Sequence, residues 1–139
     1  MRKALIDTGF LYALLNDKDS KHEQVVEAAI SVRGMALVLP APVIVETSHL
    51  LLKRVDHSKV RKFLKYLISA PFEFEQVQKS DMNRIYDLIE SYRDLELDFV
   101  DAAIMTLAER LEIQQILTVD QKDFRAVKPK HCGYFEILP

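Results

Sequence analysis

The sequence predicts an α/β fold, a mostly parallel sheet covered by helices on both faces. Two observations predict it. Short apolar runs of strand length, such as Ala4-Leu5-Ile6, Met35 to Leu39 and Gln115 to Val119, are separated by segments with helical periodicity. Capping and breaking residues fall at the joints between them.

Taken in order, Ala4-Leu5-Ile6 stops at Asp7-Thr8-Gly9, and Phe10 to Leu15 resumes an apolar pattern of helical length, so the start reads strand, turn, helix. Ser20 is placed to cap a second helix, with Glu23 at the reciprocal capping-box position and Val25, Val26, Ala29 and Ile30 on the inner face. Gly34 ends that helix, Met35 to Leu39 is a second strand, and Pro42 opens a helix running to about Lys53. Ser58 is placed to cap the next helix, which runs to about Ser69, and Phe72 to Val77 is a third strand after Pro71. Ser80 opens a helix through Tyr92, Asp98 to Leu111 is helical, Gln115 to Val119 is a strand, and Tyr134 to Leu138 is a last strand.

The chain has 139 residues, 49% hydrophobic and 29% charged, the balance of one compact domain with its own core, taken as residues 1–139. Its formal net charge of −2 leaves no global cationic field, so any nucleic-acid contact depends on local charge placement. A lone cysteine, Cys132, offers neither an internal disulfide nor a thiolate cluster, which fits a reducing interior. The short apolar run before Asp7 is too brief for a signal peptide, and no stretch has the length of a membrane span. The expectation is a soluble, cytoplasmic protein with no membrane contact.

Two of the best strand candidates end in aspartate, at Asp7 and at Asp120. In open parallel sheets the functional crevice lies at the carboxyl ends of the strands. Each aspartate alone is equally readable as a helix cap or turn residue. Glu46 sits in a helix that is apolar on most sides, where an unpaired carboxylate is costly, although a surface stripe with His49 and Lys53 is also open. Asp98 and Asp101 precede a strongly apolar helix; Asp98 suits the N-cap, and Asp101 projects from the first turn. Carboxylates gathered at one sheet end repel one another unless a divalent cation neutralises them, and an all-oxygen set favours magnesium or manganese over zinc. Such a site meets the needs of phosphodiester hydrolysis.

Leu5-Ile6-Asp7-Thr8-Gly9, Glu46-Thr47-Ser48, Leu97-Asp98-Phe99-Val100-Asp101-Ala102 and Leu117-Thr118-Val119-Asp120-Gln121-Lys122-Asp123-Phe124 together resemble the PIN-domain ribonucleases, and within them the VapC-type toxins of toxin–antitoxin pairs. The resemblance implies a three-layer α/β/α sandwich with a mostly parallel five-stranded sheet. It implies that Asp7, Glu46, Asp101 and Asp120 gather Mg2+ or Mn2+ and a hydrolytic water. Asp7 and Asp101 would be direct ligands, Glu46 would act directly or through water, and Asp120 would complete the site. Thr8 and Ser48 match small hydroxyl positions near such sites, while the match leaves Asp98 and Asp123 without assigned roles. It further implies endonucleolytic cleavage of structured RNA such as tRNA, a homodimer, and a small antitoxin laying a segment across the active site.

Lys53, Arg54, Lys59, Arg61, Lys62 and Lys65 cluster on the paired helices, either as an RNA contact or as an ordinary solvated face. Phe63, Leu64, Leu67 and Ile68 read as core, with any surplus face open to a dimer or antitoxin. The histidines lack metal-ligand spacing, and Cys132 lacks the partners of a nucleophilic site. A phosphoryl-transfer protein is disfavoured because Asp7-Thr8-Gly9 lacks a second nearby aspartate, and the chain, with 3 glycines, has no phosphate-cradling loop. A non-catalytic RNA- or protein-binding module of the same fold is the alternative; the carboxylates at all the matching positions argue for a working site.

Overall fold

The computed structural model describes residues 2–139. Strands β1 (Lys3–Ile6), β2 (Ala36–Pro40), β3 (Glu73–Glu75), β4 (Gln115–Leu117) and β5 (Glu136–Leu138) form one sheet in the order β3-β2-β1-β4-β5. Every neighbouring pair is parallel, so the mostly parallel sheet expected from the sequence is parallel throughout. Helices α1 (Thr8–Leu15), α2 (His22–Ser31), α3 (Ala41–Arg54), α4 (His57–Ser69), α5 (Met82–Ser91), α6 (Phe99–Leu111) and α7 (Gln121–Ala126) flank it. No helix among the described residues is long and apolar enough to cross a membrane.

Consecutive burial along the central strands shows that both faces are covered. Ala4, Leu5 and Ile6 of β1 and Gln115, Ile116 and Leu117 of β4 are all buried. Successive side chains point to opposite faces of a sheet, so neither face is open to water there. The buried apolar residues, among them Leu5, Phe10, Phe63, Ile104 and Phe124, form one continuous cluster.

From β1 the chain steps to β2 and β3 on one side, then returns past β1 to lay down β4 and β5 on the other. Right-handed crossovers send helices to opposite faces for the two directions of travel. The packing agrees: α1 contacts α2 and α3, α3 contacts α4, and α5 contacts α6. The direction reverses between β1 and β4, the point at which open parallel sheets form their crevice, at the carboxyl ends of the strands.

Helix α6 is anchored at its far end. Arg84 of α5 makes a two-pronged pair with Glu109, at 2.7 and 2.9 Å, and Arg110 reaches Asp81 and Glu75, each at 3.0 Å. These contacts tie the carboxyl half of α6 to α5 and β3, while its amino end carries Asp98 and Asp101. Asp98 caps α6 as the sequence indicates, accepting from the Asp101 amide at 2.8 Å.

Three expected caps are displaced. Ser20 does not cap α2: Asp19 accepts from the Lys21 amide at 2.9 Å and forms the turn, and α2 starts at His22 without a side-chain cap. Ser58 lies inside α4, whose cap is Asp56 accepting from the Lys59 amide at 2.9 Å. Ser80 yields to Gln78, which forms a reciprocal capping box with Asp81 around the 3-10 turn Lys79–Asp81. Two strands are shorter than their apolar patterns. Phe72 to Val77 contracts to Glu73–Glu75 at the sheet edge, and Tyr134 to Leu138 contracts to Glu136–Leu138.

The cap assignment makes a prediction. Asp56→Ala should destabilise the fold by about 1 kcal/mol, whereas Ser58→Ala should stay within about 0.5 kcal/mol of the parent. Urea unfolding of the two variants checks this, and a larger loss for Ser58→Ala would move the cap.

Candidate active site

Asp7 is the first residue beyond β1, and its amide donates to Leu117 O of β4 at 2.9 Å across the reversal point. Its carboxylate is 5% exposed and held at both oxygens. Oδ1 accepts from the Thr8 amide at 2.7 Å, and Oδ2 accepts from Thr118 Oγ1 at 2.7 Å. The capping and cluster readings of Asp7 are therefore both realised, one oxygen serving α1 and the other the strand-end crevice.

Thr118, fully buried just after β4, is the residue that sequence reasoning missed. A hydroxyl has one proton and two acceptor lone pairs. Its proton goes to Asp7, and the same oxygen accepts from the Asp120 amide at 3.1 Å. One side chain thus links the two acidic strand ends. The signal was present in Thr118-Val119-Asp120, but a threonine in an apolar strand reads equally well as a β-former.

The opposite side of the crevice comes from α6, α7 and α3. One carboxylate oxygen from each of Asp101, Asp120 and Asp123 lies within 4.8 Å of the others, a grouping of potential ligands that stands alone among the described residues. Asp101 and Asp120 were singled out from sequence. Asp123 was left without a role, although its place one turn beyond Asp120 in α7 was the available clue. Asp120 makes no side-chain capping bond to α7, so its carboxylate is free for the cluster. Asp7 and Glu46 lie outside the tight trio. Glu46, half-buried on α3, acts on Asp7 through charge.

Electrostatics record the crowding. Burial pushes the Asp7 carboxyl up to about 6; the bonds from Thr118 and Thr8 restrain the rise, and the charges of Glu46 and Asp120 add to it. Burial, followed by the charges of Asp7, Asp98, Asp120 and Asp123, pushes Asp101 up to about 8. Asp123 is also raised, first by burial and then by Asp120. The donors are all carboxylate oxygens, which suits a hard divalent cation and offers nothing to thiophilic metals. Thr8 Oγ1 is buried beside Asp7 without a partner, leaving hydrogen-bonding capacity at the same edge. Ser48 lies half-buried on α3, two residues beyond Glu46.

Gly9 permits the close approach of α1 to this edge. A Cβ there would lie 2.8 Å from Val119 Cγ2, inside contact distance, so a larger residue would push the strand end of β4 away from α1. Lys53, Arg54, Arg61, Lys62 and Lys65 are exposed on α3 and α4, Lys59 donates to Leu15 O at 3.2 Å, and Lys122 acts on Asp123 through charge. His131 Nε2 bonds Ile113 O at 2.7 Å, and Cys132 Sγ bonds Tyr134 O at 3.3 Å, both outside the carboxylate group.

The raised carboxyls fix the sign of a pH effect. A carboxyl with a higher pKa folded than unfolded holds its proton more tightly in the native state, so its stabilisation is complete below the unfolded value and lost as pH rises. For Asp101 the window runs from 3.8 to about 8. In EDTA, the melting temperature should fall between about pH 5 and pH 9. Asp101→Asn should melt about 3 °C or more above the parent at the alkaline end, and the gap should close at the acid end. Thermal scans at the two pH values check it, and a pH-independent gap would contradict the charge argument.

Comparison with known proteins places this geometry. Residues 4–129 match the PIN domain. Ribonuclease VapC26 of Mycobacterium tuberculosis is 28% identical over 135 residues, covering 97% of this chain and 99% of the relative. The solved structure of Mycobacterium tuberculosis VapC20, described as a Sarcin-Ricin loop cleaving toxin, superposes with a TM-score of 0.82 at 22% identity, covering 98% of this chain and 99% of that one. VapBC2 from Rickettsia felis, bound to a DNA fragment from its promoter, gives 0.72 at 12% identity over 99% of both chains. A toxin–antitoxin complex from Klebsiella pneumoniae gives 0.64 at 19% identity, over 89% of this chain and 92% of that one. These structures share the three-layer fold, and with a family match spanning most of its length the chain belongs to the PIN-domain family.

Proposed function

We propose that this protein is a divalent-metal-dependent endoribonuclease and the toxin of a VapBC-type toxin–antitoxin pair. The observation that carries the reading is the group of Asp101, Asp120 and Asp123 at the strand-end crevice, with Asp7 coupled to it by charge and Glu46 coupled to Asp7. The likeness to a relative named as a ribonuclease, over nearly the whole chain, supports the same reaction class.

In this reading Asp7, Asp101 and Asp120 hold Mg2+ or Mn2+, with Asp123 as a further donor and Glu46 acting directly or through water. The bound cation supplies an activated water and charge stabilisation at the phosphodiester. Thr118 fixes the rotamer of Asp7, so that the Asp7 carboxylate keeps its direction as the site loads. Glu46, at the crevice edge on α3, orients the attacking water and takes up its proton. RNA, such as tRNA or another structured RNA, is the substrate, and the exposed cations of α3 and α4 are available to its phosphates. A small antitoxin is the regulatory partner. Ile68, 85% exposed on α4, and its neighbour Leu64 offer apolar surface to a protein chain. The reading carries with it a homodimer and a cytoplasmic setting.

The test is incubation of purified protein with total RNA and tRNA in Mg2+ or Mn2+, beside EDTA and Asp7→Asn controls. Cleavage should vanish in EDTA and fall about a hundredfold or more in Asp7→Asn, the scale of losing one group that stabilises transition-state charge. Cleavage that survives Asp7→Asn would displace the site. Neither cleavage nor manganese binding would leave a non-catalytic module as the better reading.

A second measurement isolates Thr118. Thr118→Val keeps the shape and removes the hydrogen bond to Asp7 Oδ2, so manganese affinity should weaken roughly tenfold while the fold persists. Titration calorimetry checks it; unchanged affinity would assign Thr118 to packing alone.

A further inference from the structure

Beside the acidic group lies an open cavity of about 440 Å3, lined by Pro42, Val45, Glu46 and His49 of α3 and by Val100 of α6. Its lining combines apolar side chains, Pro42, Val45 and Val100, with the polar Glu46 and His49. Val45 is 70% exposed in the body of α3, a position with no core role, and His49 is exposed one turn beyond Glu46. The cavity touches the carboxylate site on two sides: Glu46 acts through charge on Asp7, and Val100 immediately precedes Asp101.

We propose that this shelf seats an unpaired nucleobase of the nucleotide flanking the scissile phosphodiester. The inference rests on the ribonuclease reading and adds to it a base-binding subsite. A phosphodiester positioned at the carboxylates carries its neighbouring base about one nucleotide away, and the shelf is the apolar surface that adjoins them. A base has an apolar π-face and a polar edge, matching the apolar lining of Pro42, Val45 and Val100 and the polar groups of Glu46 and His49. Charge narrows the class further. Glu46, Asp98 and Asp101 make the surroundings anionic, which disfavours a second phosphate or a carboxylate ligand and accepts a neutral ring. The base must be unpaired, because a base inside a duplex cannot present its face to the protein.

The experiment uses the full-length protein, manganese and a short RNA containing one mapped cut, with abasic nucleotides placed in turn on either side of it. One of the two positions should slow kcat/KM roughly tenfold or more, the loss expected for one stacked base. In the double variant Val45→Ala with His49→Ala, intact and abasic RNA should be cut at the same reduced rate, since the subsite is already gone. Manganese affinity of that variant should match the parent. Three results would overturn the proposal: abasic RNA cut as fast as intact RNA, a double variant that still discriminates between them, or a dimer that Val45→Asp splits into monomers. The last would show that a second copy of the chain covers the shelf. Absence of metal-dependent cleavage on every RNA removes the ribonuclease reading and the subsite together, whereas normal cleavage without a base effect removes the subsite alone.

Discussion

Between β1 and β4 the crossovers diverge to opposite faces of the sheet, so no single connection closes over the two carboxyl ends. The strand ends must still be held in register, and the Asp7 amide to Leu117 O bond does this on the backbone. The Thr118 hydroxyl repeats the tie on the side chains, binding Asp7 Oδ2 on one strand end and the Asp120 amide on the other. Without that reversal, Asp7 and Asp120 would sit under separate helices. With it, α6 and α7 start beside the crevice and bring Asp101 and Asp123 to it.

The arrangement concentrates like charge in a place where water is partly excluded. Burial and mutual repulsion raise Asp7 and Asp101, which is the electrostatic signature of strain that the surrounding fold must offset. At the group itself the restraint comes from the hydrogen bonds of Thr118 and Thr8 to Asp7 and from the charge of Lys122 near Asp123. Arg84 and Arg110 are committed to Glu109, Asp81 and Glu75 at the other end of α6. A fold that keeps its arginines away from a carboxylate cluster leaves the cluster's charge for a cation that comes from outside. Local instability and the proposed metal affinity would then have the same origin.

Much of this was legible in the sequence, and the parts that were not fail for identifiable reasons. The alternation of apolar strand and helix located all five strands: β1, β2 and β4 read as nearly continuous apolar runs because the sheet's centre is covered on both faces, while the more exposed edge strands β3 and β5 are shorter than their patterns. The parallel order across the reversal was not written in any local pattern. The caps at Ser20, Ser58 and Ser80 were displaced because Asp19, Asp56 and Gln78 compete for the same turns, and the winner depends on backbone angles that a sequence does not display. Asp7 was readable as a cap or as a cluster member, and each oxygen takes one of the two parts. Asp123 was invisible as a donor because an acid in the first turn of a short helix is ordinary, and only the approach of α7 to α6 brings it near Asp101.

The chemistry follows from how the helix ends are occupied. Free amides at a helix amino terminus are a ready anion site, and nucleotide-binding folds with parallel sheets commonly cradle phosphate there. Here the Thr8 amide of α1 is taken by Asp7 Oδ1 and the Asp101 amide of α6 by Asp98 Oδ1. At these two helix starts a carboxylate therefore occupies an amide that a phosphate would need, and its charge repels an anion. A divalent cation held by Asp7, Asp101 and Asp120 would offset that repulsion and would supply the activation of water that the proposed hydrolysis needs. The capping aspartates thus do more than stop the helices: they occupy amides of α1 and α6 with carboxylate and add to the negative charge that the proposed metal would neutralise.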